Sequence, residues 1–130
     1  MTEPHYGTSA VEHGAYTVDH HLSDADRNVH SAWDNSLDPV VTVEPGEVVR
    51  FECRDAVDGQ IDVETTADDV LDVSFDPVHP LTGPVAVEGA QPGDVLEVQL
   101  LDLQHKGWGF TNFFPGEMEL GLLPEEFDEP

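Results

Sequence analysis

The chain has 130 residues, of which 28 are Asp or Glu and only four are Lys or Arg, so its formal net charge is −24. This charge repels phosphate backbones and anionic lipid surfaces, which argues against nucleic acid and membranes as partners. The single cysteine, Cys53, excludes a disulfide framework within one chain, and no apolar run reaches the roughly 18 residues of a membrane span.

Residues 1–18 mix Gly, Ser, Glu and His without a period, and we predict a mobile extension there. They also lack the positive flank and apolar stretch of a secretion signal, which favours a cytoplasmic protein. Residues 19–130 are expected to form one domain. Within it, Ser23 can cap a single helical turn.

Apolar and polar residues alternate in five later segments, as is typical of β-strands. These segments are Val40–Val43, Val48–Cys53, Ile61–Thr65, Val85–Glu88 and Val95–Leu103. No segment has the spacing of a long amphipathic helix. The sequence therefore predicts an all-β fold with little helix.

Two similar turns precede two of these strands, at Glu44–Glu47 and Gln91–Asp94. In each, a proline presets the first central position, and a glycine supplies the positive φ that a type II turn needs at the second. The recurrence suggests two related hairpins in a β-sandwich.

The acidic excess also indicates the conditions in which the chain folds. With 38% hydrophobic residues it is apolar enough for a folded domain. In dilute buffer its carboxylates repel one another, whereas at about 1 M salt the screening length falls to ~3 Å. We therefore expect a halophilic protein, with an acidic mesophilic protein as the alternative.

Six short motifs follow one another along the chain: His30–Ser36, Val41–Val49, Asp55–Ile61, His79–Val85, Val87–Ala90 and Pro92–Val95. Together they resemble the amino-terminal lobe of the acetamidase/formamidase family. The resemblance extends from about Asp19 to Phe127. It implies a jelly-roll-like β-sandwich lobe, in agreement with the strand pattern.

The resemblance implies hydrolysis of short linear amides, such as formamide or acetamide, to a carboxylate and ammonia. It also implies a divalent metal that activates water and polarises the carbonyl. The family's later half carries Gly-Gly-Asn-x-Asp and Gly-Asp-x-His motifs, which look like its principal metal and catalytic groups, and neither occurs in residues 1–130. We therefore expect the main metal ligands to lie outside this chain, with the missing carboxy-terminal half or a second copy as partner.

Asp55 and Gln60 flank a loop in which Gly59 frees the backbone, and their side-chain oxygens suit a hard metal or an amide substrate. Asp55 is the candidate metal ligand. The alternative is that Asp55 forms an Asx-turn and Gln60 begins a strand. His79 lies in a loop stiffened by two prolines and is a candidate donor to a carbonyl oxygen, or else is satisfied by carbonyls of its own turn.

Other apolar and aromatic residues have expected packing roles. Trp33 is expected to close the sandwich, and Cys53 to pack inertly on the apolar face of its strand. Four aromatic residues near the carboxyl end are expected to stay partly uncovered and to meet the missing second lobe: Trp108, Phe110, Phe113 and Phe114.

Two functions follow from different classes. The first is an amidohydrolase component that acts on a small amide once the missing half is supplied. The second is a catalytically silent β-sandwich remnant, or an assembly subunit.

Overall fold

The computed structural model describes residues 16–112, 114 and 126, so most of the predicted extension at 1–18 lies outside the described residues. Regular structure within this part of the chain consists of six short strands and two 3₁₀ turns. The turns span Asp26–Asn28 and Asp68–Asp72. The strands are β1 His20–Leu22, β2 Val29–His30, β3 Val41–Val43, β4 Val49–Phe51, β5 Leu81–Thr82 and β6 Val85–Val87.

The strands pair in three two-stranded sheets. β1 runs parallel to β4, with His20 opposite Val49, and β3 runs parallel to β6, with Val41 opposite Val85. β2 and β5 are antiparallel. The predicted all-β fold with little helix is confirmed. No helix in the described ranges is long and apolar enough to cross a membrane.

The two Pro-Gly turns form as predicted and have the same construction. Gly46 and Gly93 have φ of 97° and 102°, as a type II turn requires. In each turn the last residue's N–H donates to the first residue's carbonyl, at 3.2 Å for Glu47 and 3.0 Å for Asp94. The side chain of that last residue also accepts the first residue's N–H, at 2.7 and 2.8 Å.

The predicted hairpins, however, are wrong. The first turn leads from β3 to β4, which belong to different sheets, so the chain crosses from one sheet to the next. A physical reason lies in the turn type, because type II turns splay the flanking strands, whereas types I′ and II′ match the twist of a hairpin.

Two predicted strands are not strands in the structure. Ile61–Thr65 forms a turn in which the Asp62 carboxylate accepts the N–H of Glu64, so a local side-chain bond replaces ladder pairing. Val95–Leu103 is without strand pairing among the described residues.

A small hydrophobic core lies under the loop that follows β4. Val57, Ile61 and Val73 are buried there, and Val78 and Phe110 pack against them. Full burial of such a side chain contributes roughly 1.5–3 kcal/mol. The core therefore anchors the loop that carries Asp55 and Gln60 in its middle, at Val57, and just after its carboxyl end, at Ile61.

Trp33 and Cys53 do not pack as expected. Trp33 is 95% exposed, and the next residue, Asp34, accepts hydrogen bonds from Ser36 in an exposed turn. Cys53 is exposed and lies beyond the end of β4 at Phe51, which is itself 43% exposed, so the predicted apolar face is not buried here.

Candidate active site

The loop from Asp55 to Gln60 is organised by the carboxylate of its first residue. Asp55 Oδ1 accepts the N–H of Val57 at 3.0 Å, and Oδ2 accepts that of Gly59 at 2.8 Å. Asp58 and Gly59 have φ of 56° and 77°, which curls the backbone around the carboxylate. The Asx-turn alternative is therefore present. Each carboxylate oxygen has two lone-pair directions, so Asp55, which is exposed, retains capacity for a further ligand.

Gln60 joins this loop to the segment at Ser74. Its Nε2 donates to the carbonyls of Val57 at 2.7 Å and Ser74 at 2.9 Å. Its Oε1 accepts the N–H of Ser74 at 2.7 Å. Both amide hydrogens are thus used within the chain. Gln60 follows the Asx-turn but does not begin a strand.

His79 lies against the same loop through its backbone. Its N–H donates to the carbonyl of Ala56 at 2.8 Å, and its φ of 60° is one that residues other than glycine seldom adopt. The residue is exposed, and its imidazole has no hydrogen bond among the described residues. The structure therefore brings His79 to the loop of Asp55 and Gln60.

An open cleft of about 670 Å³ lies beside the loop. Of the three predicted site residues, Asp55 lines it, whereas Gln60 and His79 do not. The cleft is lined by Arg54, Asp55, Ala56, Asp58, Gly59, Lys106, Trp108, Gly109 and Phe110. Its volume is within the range usual for small-molecule sites, roughly 300–1,000 Å³.

Sequence reasoning missed Arg54 and Lys106. Only four residues of the chain are Lys or Arg, and two of them line this cleft. The rarity of basic residues in so acidic a chain is the sequence signal that could have identified these two. Lys106 Nζ lies 3.5 Å from a carboxylate oxygen of Asp24.

Arg54 ties the cleft to the 3₁₀ turn at Asp26–Asn28. Its Nε and Nη2 donate to the carbonyl of Asp24 at 3.0 and 2.7 Å, and Nη2 also binds the Asp26 carboxylate. Nη1 donates to Asp58 Oδ1 at 3.0 Å. Hydrogen bonds from the guanidinium to Asp26 and then Asp58 raise the pKa of Arg54, so this group is a permanent cation.

A smaller pocket of about 250 Å³ shares Arg54 and Asp58 with the cleft and also includes His30. His30 Nδ1 is buried and has no hydrogen-bond partner among the residues that the structure describes. The other lining residues are Asp26, Val29, Ser31, Pro77 and Pro80.

The aromatic residues proposed as an interface lie partly at the cleft. Trp108 is 47% exposed, and its ring centroid lies 5.7 Å from that of Phe110, which is half-buried. The half-buried Phe114 meets Phe75 edge-on at 5.3 Å. Phe113 lies outside the described residues. The interface role of these residues stays a prediction.

The described residues do not fit a divalent metal as a complete ligand set. No group of three or more His, Cys, Asp or Glu side chains in this part of the chain is placed to hold one. Asp55, the candidate ligand, is already engaged by two backbone N–H groups. No step of a reaction is therefore assigned to a metal here.

Comparison with known proteins gives a consistent result. Residues 16–130 match the acetamidase/formamidase family. The chain is 40% identical to a formamidase of Methylophilus methylotrophus over 107 residues, 80% of this chain and 26% of that protein. It is also 40% identical to an acetamidase of Mycolicibacterium smegmatis over 126 residues, 88% of this chain and 31% of that protein.

Among solved structures, the chain resembles a gamma lactamase from Delftia acidovorans, with a TM-score of 0.52 and 36% identity over 57% of this chain and 20% of that one. The chain thus spans between a quarter and a third of the length of the two curated relatives. It belongs to the acetamidase/formamidase family.

Proposed function

We propose that the chain is one part of an amidohydrolase that converts short linear amides to a carboxylate and ammonia. The observation that carries this proposal is the family match over residues 16–130. Two relatives that are 40% identical bear the names formamidase and acetamidase. Because the chain spans only 26% and 31% of them, the complete reaction needs the remainder of the family's fold.

The cleft supplies one wall of a site for this reaction. Amide hydrolysis requires an attacking water, a polarised carbonyl and a proton for the departing ammonia, all within hydrogen-bond reach. The exposed carboxylate of Asp55 can accept a hydrogen bond from an amide N–H. Trp108 and Phe110 provide an apolar boundary that suits a short acyl chain.

Gln60 and His79 serve the proposed site as positioning residues. Gln60 holds the carboxyl end of the Asp55 loop against Ser74, and the backbone of His79 holds its middle at Ala56. Their side chains do not line the cleft. Their proposed role is therefore to fix where the Asp55 carboxylate lies.

The proposal includes a divalent metal only as part of the whole enzyme. Such a metal would polarise the amide carbonyl and lower the pKa of a bound water. The described residues form no complete ligand set. The proposal assigns the principal ligands to the remainder of the fold.

The second candidate is an assembly subunit without chemistry of its own. It is supported by the hydrogen bonds of the loop, because the polar groups of Asp55 and Gln60 serve the loop's own backbone. This pattern is sufficient to explain both residues as structural.

Ammonia release from formamide and acetamide separates the two candidates. The chain is assayed in concentrated KCl, alone and after co-expression with the part of the Mycolicibacterium smegmatis acetamidase outside the matched residues, here called the acetamidase remainder. We expect no activity from the chain alone and activity from the pair.

Asp55→Ala is expected to abolish the activity of the pair. Asp62→Ala is the matched control, because Asp62 also accepts a backbone N–H in an exposed turn but does not line the cleft. Inactivity of a correctly folded pair would favour the assembly subunit. Activity of the chain alone, abolished by Asp55→Ala, would place a complete site within these residues.

We further propose that the protein works in a salt-rich cytoplasm. The net charge of −24 supports this setting, because high salt screens the repulsion among 28 carboxylates.

A further inference from the structure

The segment Val95–Leu103 exposes apolar side chains that a folded protein normally buries. Leu96, Val98 and Leu100 alternate along it and are 59%, 78% and 77% exposed. In an extended chain these three side chains point to the same side. At the alternate positions, Val95 and Leu103 are 93% and 80% exposed. The segment therefore has an apolar face without a covering layer among the described residues.

Its backbone is equally without partners. The last backbone hydrogen bond before the segment joins Asp94 N–H to the carbonyl of Gln91, and residues 95–103 have none to other described residues. Unpaired N–H and C=O groups along an extended apolar segment form a template for another strand.

The other Pro-Gly turn, at Glu44–Glu47, is followed by a strand that is paired. The Glu44–Glu47 turn has the same glycine conformation and the same carboxylate bond as the Gln91–Asp94 turn. It is followed by β4, which pairs with β1. Val95–Leu103 has the corresponding position and the corresponding alternation, but no strand pairs with it in the part of the chain that the structure describes.

The lengths of the relatives indicate that the strand pairing with Val95–Leu103 belongs to the rest of the family's fold. The segment is inside the family match at residues 16–130, and the relatives are three to four times as long as the part matched. In a protein of this family the segment is therefore part of a larger body. A second copy of this chain, which also has a net charge of −24, is the alternative occupant, and the test below distinguishes it.

We propose that Val95–Leu103 is the docking strand for the remainder of the family's fold, and that it pairs edge to edge with a strand from that remainder. The face of Leu96, Val98 and Leu100 then becomes part of a shared core. This inference rests on the proposed function, since it assumes that the chain works with that remainder.

The test uses the full chain co-expressed with the acetamidase remainder in concentrated KCl. Hydrogen exchange is measured on the chain alone and on the pair. We expect the amides of Val95–Leu103 to exchange freely in the chain alone and to become protected in the pair. Protection in the chain alone would overturn the proposal, because the segment would then be covered by the chain itself or by a second copy.

A pair of valine substitutions supplies the matched control. Val98→Asp is expected to weaken binding of the remainder by about 100-fold or more, because it places a carboxylate in the shared core. Val63→Asp changes a valine that is also 78% exposed but lies outside the segment, and it should leave binding unchanged. Both side chains are in solvent in the isolated chain, so circular dichroism should show both variants folded.

The outcomes separate this inference from the proposed function. Absence of binding, binding without protection of the segment, or equal affinities of the two variants would each overturn the docking strand. Binding with protection but without ammonia release would leave the docking strand in place and refute the amidase activity.

Discussion

Replacing Gln60 by alanine tests what holds the loop of the candidate site in place. The side chain makes three hydrogen bonds of 2.7 to 2.9 Å, one to the carbonyl of Val57 and two to the backbone of Ser74. Ile61, the next residue, lies in the buried core. Loss of the amide therefore releases a connection between the Asp55 loop and the segment that leads to the core residue Val73.

The size of the effect follows from the number of bonds and their exposure. A hydrogen bond contributes about 0.5–1.5 kcal/mol net, and the two bonds to Ser74 are exposed, so water partly replaces them. The lower part of that range applies, which gives about 1.5–3 kcal/mol for the side chain. Since 1 kcal/mol corresponds to about 4 °C in a domain of this size, the melting temperature should fall by about 6 °C or more. Gln60→Glu should cost at least as much, because its carboxylate faces two carbonyl oxygens.

Thermal unfolding followed by circular dichroism in concentrated KCl measures the effect. Gln99→Ala is the control, because among the described residues the Gln99 side chain binds only the nearby Glu97 carboxylate, at 2.9 Å, on an exposed segment. We expect its melting temperature to match that of the unmodified chain. Equal melting temperatures for Gln60→Ala and Gln99→Ala would refute the structural role given to Gln60.

Three further predictions concern charge. Arg54→Ala should lower the melting temperature by a few degrees more than Arg50→Ala, whose exposed guanidinium has no hydrogen bond among the described residues; equal values would contradict the role given to the Arg54 contacts. Hydrogen bonds from the N–H of Glu44 and then from His20 hold the pKa of Glu47 below its ordinary value of 4.5. The stabilisation is present above pH 4.5 and is lost as the pH falls through the lowered pKa, so the stability advantage over Glu47→Gln in denaturant titrations should shrink with acidification, and growth of the advantage would be the wrong sign. Circular dichroism of the unmodified chain should show native structure in molar KCl and its loss in dilute buffer; full structure in dilute buffer would exclude the halophilic interpretation.

The elements that the sequence predicted well are those governed by local chemistry. The Glu44–Glu47 and Gln91–Asp94 turns depend on a proline and a glycine at adjacent positions, and both form as predicted. β3, β4 and β6 lie within alternating valine segments. Which strands pair could not be predicted, because parallel pairing of β3 with β6 joins residues more than forty positions apart and local pattern does not specify such partners.

The two segments that were wrongly predicted to be strands share a physical cause. Ile61–Thr65 alternates like a strand, but the Asp62 side chain closes a turn with its own backbone. Val95–Leu103 alternates better than most of the paired strands, but alternation expresses only a preference for one buried face. A strand also needs a neighbour, which the described residues do not supply.

The sequence indicated which loops form the candidate site better than it indicated which side chains line it. The Asp55 loop and the His79 loop meet through the hydrogen bond from His79 to Ala56, as a shared site would require. The interpretation that Asp55 and Gln60 present oxygens to one ligand could not anticipate that Gln60 binds Ser74, fourteen residues away. Arg54 and Lys106 reach the cleft through tertiary contacts with the Asp24–Asp26 segment, which has no signature in the sequence.

The charge distribution bears on how the proposed reaction would proceed in so acidic a protein. A short linear amide is neutral, so the field of a body with net charge −24 does not hinder its approach to the cleft. The carboxylate product is an anion, but at about 1 M salt the screening length of ~3 Å confines that field to the immediate surface. At the cleft, Arg54 is paired with the carboxylates of Asp26 and Asp58, and Lys106 is paired with Asp24. Neither cation is therefore an unpaired binding site for the carboxylate product. These cations therefore keep acidic segments close together around the cleft.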